Sequence, residues 1–141
     1  MVMLYYDWKF AERIQCTEEE KRECFELIRT LRKYAAIVRT DGFLALEEEL
    51  SNIEDNFLSV SIQMAIDRVT PDFFRNIQER RILVDNCKGK ELLRNVIITE
   101  AIDSILREET YQMFHYKLLS YLGECGYRWA AEGQMDLIGK Y

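Results

Sequence analysis

The chain has 141 residues, a formal net charge of −6, and apolar side chains at almost half of its positions. This length suits a single domain, residues 1–141, because domains typically contain about 100–150 residues. The acidic balance argues against nucleic acid as a partner, because a phosphate backbone requires a basic binding surface. No apolar run approaches the roughly 20 residues of a membrane-spanning helix, so we expect no membrane insertion. The start does not resemble a signal peptide, and we therefore expect a cytoplasmic location with reduced cysteines.

Helix signals dominate the first third of the chain. A short helix is predicted after Asp7. Thr17 and Glu20 then form the pattern of a capping box, in which the threonine caps the helix and the glutamate bonds back to it. Apolar residues recur after this box at steps of three and four, which predicts a helix over 17–38 that ends or bends near residues 41–42.

Shorter helices are predicted in the centre of the chain. The first carries its apolar residues on one face, at Phe43, Leu46, Leu50 and Ile53. The next is capped by Asp55 or Asn56. Thr70 followed by Pro71 predicts a helix over 71–82, because proline suits the first turn and threonine caps it. Residues 85–89 have the composition of a turn.

Two more helices are predicted over 91–106 and 111–122, each with apolar residues on the inward face. No alternating strand pattern of any length occurs in the sequence. The sequence therefore predicts an all-α, single-domain bundle of about six or seven helices joined by short turns. It leaves the structure of residues 1–16 and 124–141 open.

The sequence has no pattern of a catalytic or metal centre. His115 is the only histidine, and one histidine with scattered cysteines cannot build an ordinary zinc site. We expect His115 to be a partly buried structural residue. Glu100 and Asp103 are the one carboxylate pair worth testing for a raised pKa, although we expect both to face solvent. We therefore expect no enzyme, no cofactor and no bound metal.

The stretch 31–82 contains the pattern A-x-x-x-R-x-x-G-x-L-x-L-E, formed by Ala35, Arg39, Gly42, Leu44, Leu46 and Glu47. This stretch resembles the first cytosolic segment of the MotA-type flagellar stator proteins. That family continues with a D-G-x-x-P step, and here Arg68 stands in the place of its glycine. The stretch 95–122 resembles the later cytosolic segment. Three positions there replace the family's glycine, glycine and proline, namely Ala101, Glu108 and Tyr111.

In the family a pair of transmembrane helices separates these two segments, whereas here only residues 83–94 do so. The resemblance implies a module that cannot conduct ions by itself, because conduction requires membrane-spanning helices. It also implies a charged contact with the rotor's switch-complex protein, through the positions of Arg39 and Glu47. On a straight helix these two residues would point about 80° apart and could share one surface. The alternative is that Arg39 pairs with Asp41 or a neighbouring glutamate as an ordinary surface charge.

Two interpretations of function stay open. In the first, the protein is a non-catalytic cytoplasmic interaction module that binds a rotor switch-complex protein or a stator subunit. In the second, it is a stand-alone helical protein that forms homo-oligomers, such as a homodimer, and is unrelated to motility. An enzyme that uses a carboxylate pair is a third and less favoured interpretation.

Overall fold

The computed structural model describes residues 7–134, and every regular element within that range is helical. The α-helices are α1 (Trp8–Arg13), α2 (Glu18–Asp41), α3 (Glu47–Leu50), α4 (Asn56–Ile66), α5 (Pro71–Val84), α6 (Gly89–Leu106), α7 (Tyr111–Ser120) and α8 (Glu124–Trp129). A 3-10 turn over Phe43–Leu46 precedes α3, and a π-helical turn over Ala130–Gln134 follows α8. The all-α prediction is confirmed. Short helices of four to six residues raise the number of elements above the six or seven expected.

Both ends of α2 follow from local sequence. Thr17 Oγ1 accepts a hydrogen bond from the amide of Glu20 at 3.1 Å, and Glu20 Oε1 accepts one from the amide of Thr17 at 2.9 Å. The predicted capping box is therefore confirmed. Gly42 ends the helix with a φ of 88°, a conformation that glycine adopts without a steric penalty. The helix expected to carry Phe43 to Ile53 is instead a 3-10 turn and one turn of α-helix.

Helix α6 is the centre of the bundle and packs against α2, α4, α5 and α7. It is buried around almost its whole circumference from Leu92 to Ile105. Its Ile97 and Ala101 share one core with Phe57 and Ile62 of α4. The two segments that resemble separate cytosolic parts of the stator family therefore pack on each other.

The inward face of α5 carries Phe74, which is fully buried, whereas its neighbour Phe73 is 54% exposed. Adjacent residues on a helix point about 100° apart, so the two phenylalanines have different surroundings. The inward row continues through Gln78, whose Nε2 donates to Ser61 Oγ at 2.7 Å, which links α5 to α4 inside the core.

Three successive helix connections have the same form. The residue two positions after the end of α4, α5 and α6 has a left-handed backbone conformation, with a φ of 53° at Arg68, 51° at Asn86 and 55° at Glu108. Each connection closes with paired amide-to-carbonyl bonds of the Schellman type, as from Glu109 to Ser104 and from Glu108 to Ile105, both at 3.1 Å. The next helix begins three residues after the left-handed one in every case.

Two of the three glycine replacements in the stator-like segments, Arg68 and Glu108, lie in these turns. Both residues adopt the left-handed conformation that favours glycine, so the turns form here without glycine. Thr70 and Thr110 then cap α5 and α7, each accepting a bond from the amide three residues later. A side chain in this conformation costs about 1–2 kcal/mol relative to glycine.

We expect Glu108→Gly to raise the free energy of unfolding by about 0.5–1 kcal/mol. Removal of the left-handed penalty outweighs the added backbone entropy that glycine gives the unfolded chain. Urea denaturation measures this change, and Glu108→Ala is the control because alanine keeps the β-carbon and its penalty. An equal gain in both variants would show that loss of the carboxylate, rather than of strain, stabilises the protein.

Candidate docking site

Arg39 lies in the last turn of α2 and is exposed to solvent. Its Nη2 donates a hydrogen bond to the backbone carbonyl of Glu109 at 3.1 Å. This bond joins the end of α2 to the loop between α6 and α7. It therefore holds the guanidinium beside that loop.

Glu47 is the first residue of α3 and is also exposed. Gly42 and the 3-10 turn separate it from α2, so Arg39 and Glu47 do not lie on one straight helix. The angle of about 80° expected for a straight helix does not apply, because the chain changes direction at Gly42. The two candidate residues are carried by different helices on either side of this bend.

An open groove of about 670 Å³ adjoins Arg39. The bend after α2 and the last residues of α4 and α6 form its walls. Its apolar lining consists of Ala35, Val38, Phe43, Leu44, Ile66, Ile105 and Phe114. Its charged lining consists of Arg39, Asp41, Arg68, Glu108 and Glu109. Glu47 is not among the residues that line the groove.

Glu109 lines one side of this groove and is held there by hydrogen bonds. Its Oε1 accepts hydrogen bonds from Lys117 Nζ at 2.6 Å and from Ser104 Oγ at 2.7 Å. Burial opposes ionisation of the carboxyl, but these two donors outweigh it and lower the pKa of Glu109. The side chain of Glu109 is therefore ionised between α6 and α7. Its backbone carbonyl accepts the hydrogen bond from Arg39.

A second cluster of charges is buried between α5 and α6. Glu100 and Asp103 were expected to face solvent, but they are only 5% and 4% exposed. Arg75 binds Glu100 through two hydrogen bonds of 3.1 and 2.8 Å, and its Nη1 lies 3.5 Å from Asp103. Glu79, on the same helix as Arg75, lies 3.6 Å from its Nε. The expectation was wrong because α6 is surrounded by helices and has no solvent side at these positions.

The cluster perturbs the pKa of Asp103 and that of Arg75. Burial raises the pKa of Asp103, against the opposing effects of its hydrogen bond from Arg107 and the nearby charge of Arg75. The hydrogen bond to Glu100 raises the pKa of Arg75, although burial acts against it. The raised pKa that we considered for the carboxylate pair is thus found at Asp103. Its cause is the low polarity of the interior.

The sequence contains one signal for this cluster, in the order of polar residues along α5. Arg75 follows Phe74 on the inward side of α5, and Gln78 and Glu79 lie one turn later, so polar residues occupy positions that should face the core. Buried charges are almost always paired. A row of polar residues on an inward face therefore predicts partners on the helix opposite, and α6 supplies Glu100 and Asp103.

Comparison with curated proteins finds one informative similarity. A stretch of 70 residues is 30% identical to Motility protein A of Bacillus subtilis (strain 168). It covers 50% of this chain and 26% of that protein, so the similar region is about a quarter of the relative's length. No protein-family model matches the chain, and no solved structure matches it. The comparison supports at most a MotA-like relationship over half of the chain.

Within residues 7–134, no helix combines the length and the apolar character that a membrane span needs.

Asp103 and Glu109 should affect stability with opposite dependence on pH. Because the pKa of Asp103 is raised on folding, its ionisation opposes folding, and this penalty should disappear as the pH falls from 7 towards about 4. Asp103→Asn should therefore lose stability relative to the wild type as the pH is lowered. The pKa of Glu109 is lowered, so its contribution to stability is present at neutral pH and is lost in acid.

Urea denaturation compares the wild type with Asp103→Asn between about pH 7 and pH 4, and with Glu109→Gln between about pH 5 and pH 2. Because the pKa of Glu109 is lowered, the difference between the wild type and Glu109→Gln should persist down to about pH 4 and shrink below it. Parallel stability curves for Asp103→Asn and the wild type would contradict the burial effect on Asp103.

Proposed function

We propose that this protein is a non-catalytic docking module of the stator-protein type that binds a rotor switch-complex protein through Arg39 and Glu47. The observation that carries the proposal is the position of Arg39. It is exposed, it is fixed by its bond to the Glu109 carbonyl, and it borders an open groove with an apolar lining. The 30% identity to Motility protein A over 70 residues adds support for a motility context.

The form of this surface suits recognition of a protein. Charges at the edge of an interface steer association and select the partner, while apolar side chains at its centre contribute most of the affinity. Arg39 and Glu47 supply charges of both signs on either side of the bend at Gly42. Leu44, on the 3-10 turn between them, is 70% exposed and offers an apolar contact.

Charge reversal at Arg39 tests this proposal. We expect Arg39→Glu to weaken binding to the purified switch-complex protein of the source organism by at least about tenfold, and most strongly at low salt. The free energy of unfolding should change by no more than about 1 kcal/mol, the usual range for an exposed charge. Isothermal titration calorimetry and urea denaturation give the two values.

Arg29→Glu is the matched control, because Arg29 is an exposed arginine on the same helix, 3.8 Å from Glu26, and does not line the groove. This variant should bind as the wild type does. A compensating charge reversal on the partner should restore binding to Arg39→Glu. Equal binding by both variants, or no binding by the wild type, would remove support for the switch-protein role.

A further inference from the structure

Glu109 offers two kinds of acceptor in the loop that Arg39 contacts, and the two have different partners. The backbone carbonyl accepts the hydrogen bond from Arg39 Nη2 at 3.1 Å. The carboxylate accepts instead from Lys117 Nζ at 2.6 Å and from Ser104 Oγ at 2.7 Å, both through its Oε1. Glu109 therefore contacts Arg39 with a neutral group and binds Lys117 with its charged group.

The kind of acceptor decides what a partner meets at Arg39. A carbonyl orients a guanidinium and leaves its net charge unchanged, whereas a carboxylate orients the guanidinium and also offsets its charge. Arg39 is exposed, and the charge of an exposed group acts on an approaching protein over about 8 Å at physiological ionic strength. Docking through Arg39 is therefore strongest when the carboxylate of Glu109 is bound elsewhere.

The Glu109 carboxylate can turn towards Arg39 if its present partners release it. The carbonyl and the carboxylate belong to one residue, and a change of rotamer about the aliphatic bonds moves the carboxylate by several ångströms. The backbone of the loop has separate restraints. The amide of Glu109 donates to the carbonyl of Ser104 at 3.1 Å, and Thr110 caps α7. Loss of a side-chain partner should therefore move the carboxylate and leave the loop in place.

Lys117 is the partner that competes with Arg39 for this carboxylate. Ser104 supplies a neutral hydroxyl, so of the two donors only Lys117 offsets the negative charge. The side chains of Lys117 and Glu109 are 28% and 19% exposed, so solvent screens their attraction only in part. Burial raises the pKa of Glu109, and the hydrogen bond from Lys117 is the largest of the effects that lower it. Lys117 is not among the residues that line the groove.

We propose that Lys117 is a positioning residue for docking through Arg39. By binding the Glu109 carboxylate, it keeps that carboxylate from pairing with the Arg39 guanidinium, while the Glu109 carbonyl continues to orient the guanidinium. Lys117 thus controls the charge that Arg39 presents to a partner, although it lies outside the groove. The inference rests on the proposed function, because it assigns a further residue to the same contact.

Titration of the Glu109 carboxyl carbon by NMR tests the proposal on the full chain without any partner. Arg39→Ala alone should change the pKa of Glu109 little, because Lys117 holds the carboxylate. In Lys117→Met, Arg39 should take the place of the lysine, so adding Arg39→Ala to this variant should raise the pKa of Glu109 by about 0.5 or more. An equal pKa in Lys117→Met with and without Arg39→Ala would overturn the proposal.

Binding to the switch-complex protein is the second test. Lys117→Met should weaken binding about three- to fivefold, which is the size of one exposed ion pair. Adding Glu109→Gln should restore the affinity of the wild type, because the competing carboxylate is gone. A role in loop structure alone predicts no such rescue, since removing a second charged side chain does not repair a distorted loop. Absence of rescue would therefore contradict the positioning role.

Lys90→Met is the matched control. Lys90 is another partly exposed lysine in an ion pair, 3.4 Å from Glu23, and it does not line the groove. This variant should bind as the wild type does. In an Arg39→Ala background, Lys117→Met should have no further effect on binding. Equal losses in the two lysine variants, or a loss that persists without Arg39, would show a general effect of net charge and overturn the proposal.

The two proposals fail in different ways. If Arg39 takes over the Glu109 carboxylate in Lys117→Met but the wild type does not bind the switch protein, only the motility role is overturned. If Arg39→Glu weakens binding while Lys117→Met binds as the wild type does, only the role of Lys117 is overturned.

Discussion

The fold depends on the burial of α6 around almost its entire circumference. Apolar faces of α2, α4 and α7 cover most of this helix, but two carboxylates, Glu100 and Asp103, lie on the side that meets α5. An unpaired buried carboxylate costs several kcal/mol. Arg75 offsets part of that cost through its two bonds to Glu100 and its proximity to Asp103. The position of α5 along α6 is therefore constrained by charge as well as by packing.

Charged residues thus have two separate roles in this molecule. Inside, Arg75 and its carboxylates fix how two helices meet, and water has little access to them. At the end of the bundle where α2, α4 and α6 finish, Arg39, Asp41 and Glu108 border an open groove. The Glu109 carbonyl belongs to this second region and orients Arg39 through backbone geometry, which does not depend on any one side chain.

The starts of α2, α5 and α7 could be predicted because their signals are local. Thr17, Thr70 and Thr110 each cap the helix that follows, and a cap is recognisable within four residues of sequence. The burial of Glu100 could not be predicted in this way, since its partner lies 25 residues away on another helix. The relative direction of the Arg39 and Glu47 side chains depends on the backbone conformation of one residue, Gly42. The sequence predicted both as candidate docking residues, and only the structure shows that a bend separates them.

The repeated connection at Arg68, Asn86 and Glu108 has a consequence for the order of folding. Each of these turns lets a helix meet the next one along the chain after closing a loop of only a few residues, which costs little chain entropy. The segment from α4 to α7 can therefore assemble through near neighbours, and contacts between near neighbours form quickly. Helix α2 meets α6 across a much longer span of chain. Its docking is the step at which we expect the folding rate to be determined.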